Sequence, residues 1–270
     1  MFQKIKKKAK DQIMVKINLV ADIGNTHVVI GIYQDDNLLH SFRMKTDHEK
    51  TEDEYFSILS NLLREHNLKL ENINNFAVSS VVPTLSRTFR HLSRKYFKLK
   101  AISVDSYLKL GLQFPIPDPS FIGADLIVNA FAARAKYHQA TIICDFGTAT
   151  TIQLVGSDGY FYGTMIAPGV LTSANQLFHT ASKLSHIQLE TPKHLLGTNT
   201  ADALCSGIIN GNRFMLDGFI REIKAEYKHL NPIKVIATGG IADMICKESS
   251  QIDFVDKTLT LDGLNLICNK

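Results

Sequence analysis

Short apolar runs broken by polar turns alternate with stretches of helical period along these 270 residues. "INLVADI" (17–23) and "VVIGIY" (28–33) are β-branched runs on either side of Gly24-Asn25, the pattern of two strands joined by a tight polar turn. In "TEDEYFSILSNLLREH", Thr51 followed by Glu54 forms a capping box, and Tyr55, Ile58, Leu59, Leu62 and Leu63 make one apolar helical stripe. "FAVSSVVP" (76–83) predicts a buried strand stopped by Pro83, with a basic helix following to about residue 100. Ser79 and Ser80 in that segment are expected to be strand-end hydroxyls bonded to backbone.

Pro115, Pro117 and Pro119 fit neither a helix interior nor a central strand, so "FPIPDPS" predicts a loop and a domain boundary. Beyond it "GADLIVNAFAARAKY" predicts a helix leading into the strand "TIICDF", and a second polar turn, "DFGTATT" (145–151), joins that strand to another. "YFYGTMIAPGV" predicts a strand ending in a Pro-Gly turn. "NTADALCSGIINGNRFMLDGFIREIKAEY" predicts one long helix capped by Asn199 or Thr200, and "IKVIATGG" a buried strand running into glycines. The halves share an order, hairpin first and helices later. The expected organisation is α/β: an extension over 1–16, one domain over 17–118 and a similar one over 119–270, with a cleft between them.

Composition changes this picture little. An apolar content of 45% supports buried cores, and no apolar run approaches the roughly 20 residues that cross a bilayer. No uninterrupted apolar segment follows the N-terminal lysines, so a cytoplasmic location is expected. The net charge of +4 is local: residues 1–16 hold six lysines against Asp11, and without them the chain carries −1, giving no reason to expect nucleic acid on the folded body. Met14 immediately precedes the first strand, so translation from Met14 would make the basic tail an artefact, which an intact mass decides. Cys144, Cys205, Cys246 and Cys268 lie far apart and predict buried free thiols.

The chemistry lies in the repeat. "DIGNTHV" at 22–28 and "DFGTATT" at 145–151 both write Asp-apolar-Gly at a strand end. Glycine there lets backbone N–H groups approach an anion, and the aspartate can hold a cation or its water shell beside phosphate oxygens. One such turn alone is ordinary hairpin chemistry; two, with Thr238-Gly239-Gly240 as a third glycine element, favour a nucleotide. Neither G-x-x-x-x-G-K-[ST] nor a post-strand G-x-G-x-x-G occurs. His27 lies within the first turn but is one of ten histidines, and Lys183 reads as a solvated surface charge.

"DIGNTHVVIGIY", "TEDEY", "SSVVP", "GADLIVNAFAA", "DFGTATT", "APGV", "NTADALCSGI", "VIATGG" and "LTLDGLNLI" occur in the order and spacing of one family. Nearly end to end the chain resembles the type III pantothenate kinases of the acetate kinase, sugar kinase, Hsp70 and actin superfamily. The resemblance implies two actin-like (ribonuclease H-like) domains with an interdomain ATP cleft. It also implies ATP-dependent phosphorylation of pantothenate, the first step of coenzyme A synthesis, by a homodimer using Mg²⁺ and a monovalent cation, K⁺ or NH₄⁺. Carried onto this sequence, Asp22, Ile23, Gly24, Asn25, Thr26, His27, Val28 and Val29 resemble the first phosphate loop, with Asp22 holding Mg²⁺ through water. Asp145 resembles the monovalent-cation ligand, Gly147 and Thr148 contact ATP, and Thr238, Gly239 and Gly240 lie on the adenosine side. Asp125 resembles the catalytic aspartate, and Ile116, Gly123, Ala124, Leu126 and Thr200 occupy the acceptor side. From the residues alone, Asp125 is equally an acid favoured at a helix N-terminus, and Thr200 is a helix cap.

The pattern breaks at Leu126, where the family motif Gly-Ala-Asp-Arg has its arginine, and at Ile116, where a tyrosine is common. Pantothenate carries a carboxylate, and an Arg fork is the usual way to bind one. Arg134, Lys136 or a partner-subunit residue is then a candidate for that carboxylate. The alternatives are a kinase of another small hydroxyl compound and a non-catalytic nucleotide-binding regulator.

Overall fold

A computed structural model describes residues 16–180 and 187–270; positions 1–15 of the basic extension, with Met14, and Lys183 lie outside the described residues. The chain divides into two units, one ending at Val104 and regaining Leu264–Lys270, the other spanning Asp105–Gly263.

The first unit is built on a five-stranded sheet of β1 (Ile17–Ile23), β2 (His27–Gln34), β3 (Asn37–Lys45), β4 (Ile73–Ser80) and β5 (Ile102–Ser103) in the order β3-β2-β1-β4-β5. β1, β2 and β3 pair antiparallel, whereas β4 joins β1 in parallel and β5 joins β4 in parallel. Alternation along β1 sends Ile17, Leu19, Ala21 and Ile23 into a core shared with α1 (Glu52–Glu65) and α2 (Pro83–Leu92). The capping box starts α1 as expected: Thr51 N–H donates to Glu54 Oε2 at 2.9 Å and the Glu54 N–H donates back to Thr51 Oγ1. Tyr55, Leu59 and Leu63 are buried, while Ile58 and Leu62 are half-buried. A π turn over Ser93–Phe97 extends α2.

The second unit repeats this plan. Its sheet comprises β6 (Thr141–Phe146), β7 (Ala149–Val155), β8 (Phe161–Pro168), β9 (Lys234–Gly239) and β10 (Phe254–Val255), ordered β10-β9-β6-β7-β8. The antiparallel triplet β6-β7-β8 and parallel partners β9 and β10 correspond one for one to β1–β5. α3 (Ala124–Tyr137) covers the face carrying Asp145, while Ile142, Cys144 and Phe146 pack on the other side with Leu216 and Ile220 of α6 (Gly211–Glu226). α4 (Val170–Thr180) follows Gly169, where the sequence shows only a turn. The predicted long helix is α5 (Thr200–Cys205) joined to α6 through a π turn at Ser206–Asn210. α7 (Ala242–Cys246) and α8 (Leu259–Cys268) complete the chain.

The division falls before the proline loop, and contacts show why. Gln113 N–H donates to Gly159 O and Gln113 O accepts from Phe161 N–H, each at 2.9 Å, while Arg134 Nη1 donates to Gly111 O at 2.8 Å. These bonds hold the loop to the second unit. The last residues return to the first, where buried Asn18 donates to Asn265 Oδ1 at 2.8 Å and Asn269 Oδ1 at 2.9 Å. All four cysteines are free; Cys144, Cys205 and Cys246 are buried and Cys268 is half-buried.

Candidate active site

Each hairpin places an aspartate one residue from the end of its first strand. Asp22 lies opposite Val29 and in parallel register with Ser79; Asp145 lies opposite Thr151 and in register with Thr238. Both units therefore set a hydroxyl residue beside the aspartate on the neighbouring parallel strand. The turns themselves differ by one residue, since Ile23 pairs with Val28 but Phe146 pairs with Thr150.

In the first turn Gly24 N–H donates to His27 O at 2.9 Å. Thr46 holds the turn from outside, its Oγ1 donating to Gly24 O at 2.6 Å and its N–H to Thr26 O at 2.9 Å. Asn25, Thr26 and His27 are exposed, whereas the Ile23 and Val28 side chains are buried in the core and offer a ligand only backbone. Ser80 Oγ bonds both N–H and O of Val82 as expected, but Ser79 differs. It is fully buried, with no partner for its Oγ beside Asp22.

The second turn is closed by Gly147 N–H donating to Ala149 O at 3.0 Å. Two glycines make room for it. A Cβ on Gly169 would lie 2.1 Å from Thr148 O, and one on Gly239, whose φ is +99°, would lie 2.6 Å from Phe146 N. Any side chain at either position would displace the strand end that carries Asp145. Thr172 Oγ1 donates to Thr148 O at 2.9 Å, an outer brace like that of Thr46. Beyond exposed Gly240, an apolar recess is lined by Leu171, Ala174, Phe178, Leu189, Ile241 and Met244.

Asp125 sits in the first turn of α3, and Leu126 N–H donates to its Oδ1 at 2.9 Å. Burial raises its carboxyl above the ordinary value, partly offset by backbone N–H bonds. Asp145 is pushed up to about 6, chiefly by burial, then by the charge on Asp125, against an opposing bond from Asn129. Asn129, 1% exposed, donates from Nδ2 to Asp145 Oδ2 at 2.9 Å and accepts at Oδ1 from Thr260 Oγ1 at 2.7 Å. Sequence reasoning missed Asn129 and Thr260; the only signal was an Asn at i+4 from Asp125 in the otherwise apolar run Leu126–Ala133.

The acceptor-side residues are less concentrated. Ala124 and Leu126 are buried, Ile116 and Gly123 half-buried, and Thr200 exposed. Leu126 O accepts from Gln153 Nε2 at 3.1 Å, and Gln153 Oε1 is buried without a partner. The cap of α5 is Asn199, whose Oδ1 accepts from Asp202 N–H at 2.9 Å, so Thr200 is the first helical residue rather than the cap. Neither proposed cation is available near Asp125. Arg134 bonds the carbonyls of Gly111 and Ser157, and Lys136 pairs with Asp256 at 2.6 Å and Asp262 at 2.7 Å. They follow Asp125 by nine and eleven residues, about 14 and 16 Å along the helix.

Among the described residues no group of three or more His, Cys, Asp or Glu could cage a metal ion. Single carboxylates beside glycine turns would instead suit a Mg²⁺ held mostly by phosphate and water. Burial of Asp145 beside Asp125 concentrates negative charge that a compact cation would neutralise.

The type III pantothenate kinase family profile matches residues 18–222. The chain is 42% identical over 252 residues to the type III pantothenate kinase of Halalkalibacterium halodurans, covering 93% of this chain and 98% of that one. It is also 42% identical to that of Geotalea daltonii, over 92% and 96%. Among solved structures it is similar to a conserved Baf family protein of Campylobacter jejuni, with a TM-score of 0.56 and 19% identity over 93% and 97% of the chains. A ROK family glucokinase of Streptomyces griseus, solved with glucose and AMPPNP, gives 0.53 and 9% over 94% and 99%. The structural likenesses show an actin-like fold, and the family profile and the sequence matches show that this chain belongs to the type III pantothenate kinase family.

Proposed function

We propose that the protein transfers the γ-phosphoryl group of ATP to the hydroxyl of pantothenate, giving 4′-phosphopantothenate for coenzyme A synthesis. The observation that carries this reading is the half-buried pair Asp125 and Asp145, set beside the second of two matched phosphate turns. Residues 22–29, Gly147 and Thr148 would hold the phosphates through backbone and hydroxyl donors. Thr238, Gly239 and Gly240, with the recess beyond them, would receive the adenosine. Asp22 would hold Mg²⁺ through its water shell, and Asp145 a monovalent cation, K⁺ or NH₄⁺. Bound cations neutralise charge on the transferring phosphoryl group. Asp125, whose raised pKa makes it a better proton acceptor than an exposed carboxylate, would take the hydroxyl proton.

Buried Leu126 and the engaged Arg134 and Lys136 leave the pantothenate carboxylate to be met from elsewhere. A homodimer would meet it with a partner-subunit residue. Exposed Ile166, Phe214 and Phe219 of the second unit supply apolar surface suited to such an interface. A cytoplasmic location is consistent with the absence, among the described residues, of any helix long and apolar enough to cross a membrane. ADP release with ATP, Mg²⁺, K⁺ and pantothenate tests the reading, with sedimentation giving the oligomeric state. Turnover confined to pantothenate is expected; ATP binding with turnover of a different hydroxyl acid would move the assignment to the acceptor-shifted alternative, which Leu126 favours.

A further inference from the structure

Asp145 does not stand alone on its strand, because one of its two oxygens is already committed. Oδ2 accepts from Asn129 Nδ2 at 2.9 Å, while Oδ1 points toward the phosphate turn, 4.0 Å from where a Cβ on Gly147 would be. We propose that Asn129 and Thr260 are positioning residues, forming a partly buried hydrogen-bond chain centred on Asn129 that aims Asp145 Oδ1 into the turn and so sets the affinity for the monovalent cation.

The geometry gives each link one direction. A carboxylate oxygen only accepts, so Asn129 must present its NH₂ group to Asp145 and its carbonyl to Thr260. With the amide oriented by the carboxylate, which can only accept, the Thr260 hydroxyl donates to Asn129 Oδ1 at 2.7 Å and anchors the far end of the amide. A flipped amide would set its oxygen against the carboxylate. Asn129 follows Asp125 by four residues, so the same helix face carries both groups. Thr260 is itself held in place, since Lys136 of α3 bonds Asp262 two residues further along α8. Three polar groups linked beneath a sheet are unfavourable to bury unless every member is satisfied, and here each is directed at the next.

The inference rests on the proposed role of Asp145, and the test separates the two. Thr260→Val removes the donor with little change of shape, Thr260→Ser keeps it, and Asn129→Leu removes the amide. For each, the potassium concentration giving half-maximal turnover is measured. Calorimetric ADP binding is titrated in parallel against potassium, a readout independent of activity. Residues supporting a metal ligand typically change affinity 10- to 100-fold, so a potassium requirement raised at least about tenfold is expected for Thr260→Val and Asn129→Leu. ADP affinity at saturating potassium should stay within about twofold of wild type, and Thr260→Ser should behave as wild type. An unchanged requirement in Thr260→Val, against one lost in Asp145→Asn, overturns the proposal alone. Equal losses in the Val and Ser variants, or ADP binding weakened alike at all potassium concentrations, also overturn it. Indifference of the wild type or of Asp145→Asn to potassium overturns the underlying reading, and this inference with it.

Discussion

Two carboxylates of the second unit behave differently because their partners differ. Asp125 receives only backbone N–H groups, so Asp125→Asn should cut turnover roughly 10²- to 10⁴-fold while calorimetric ADP affinity remains near wild type. Turnover equal to wild type would reject it as the proton acceptor. Asp145 has a thermodynamic signature. Folded, it keeps its proton to about pH 6, whereas an ordinary carboxyl releases it near 3.8. Between those values the folded state binds more protons than the unfolded state. Its contribution to stability is therefore greatest below the lower value, falls as pH rises through the window, and is constant above it. The loss amounts to at most about 3 kcal/mol. Urea unfolding in potassium-free buffer at pH 4.5 and 7 should show that this decline is absent from Asp145→Asn; equal declines in both proteins would disprove it. Leu126 is equally instructive. An Arg would be expected there from the resemblance, yet the position is buried against Gln153, and that surrounding is invisible in a linear motif.

At the scale of elements, what was legible in the sequence is what neighbours in the chain decide. The capping box of α1, the paired hairpins and the Ala-rich α3 all follow from residues within four positions of one another. β3 and α4 leave weak signals in the sequence: β3 is an edge strand of alternating exposed and half-buried residues, and α4 begins immediately after a Pro-Gly pair that reads as a turn. The role of Gly169 is likewise invisible locally, since the Thr148 carbonyl it must avoid is distant in sequence. Gly169→Ala should therefore leave helix content by circular dichroism unchanged but weaken ADP binding about tenfold or more, by pushing the second turn out of place. Wild-type ADP affinity in this variant would show that the turn tolerates displacement or does not contact the nucleotide.

Taken as a whole, the chain repeats one strand order twice, and the repeat was visible because both copies keep the Asp-apolar-Gly signature at equivalent strand ends. What could not be read was the return of the last residues to the first unit, since no local pattern says which sheet a terminal helix will cover. The structure shows an asparagine network fixing that choice. Asn18, fully buried on β1, donates to Asn265 and Asn269 and accepts from Asn75 Nδ2 at 2.9 Å, and Asn265 Nδ2 donates to Asp35 O at 2.8 Å. Each group has a definite partner, so the network specifies one position for Leu264–Lys270 within the first unit where apolar contacts alone would permit sliding. Asn265→Leu keeps a comparable apolar volume but leaves one Asn18 donor and the Asp35 carbonyl without their partners. An unsatisfied buried donor costs about 1 to 3 kcal/mol, which for a chain of this length lowers the thermal midpoint by roughly 2 to 10 °C. Asn269→Leu should cost less, because Asn269 is exposed near the chain end and water can replace it. A smaller loss for Asn265→Leu than for Asn269→Leu in scanning calorimetry would mean that the helix is held by its apolar face, with the asparagines merely tolerated.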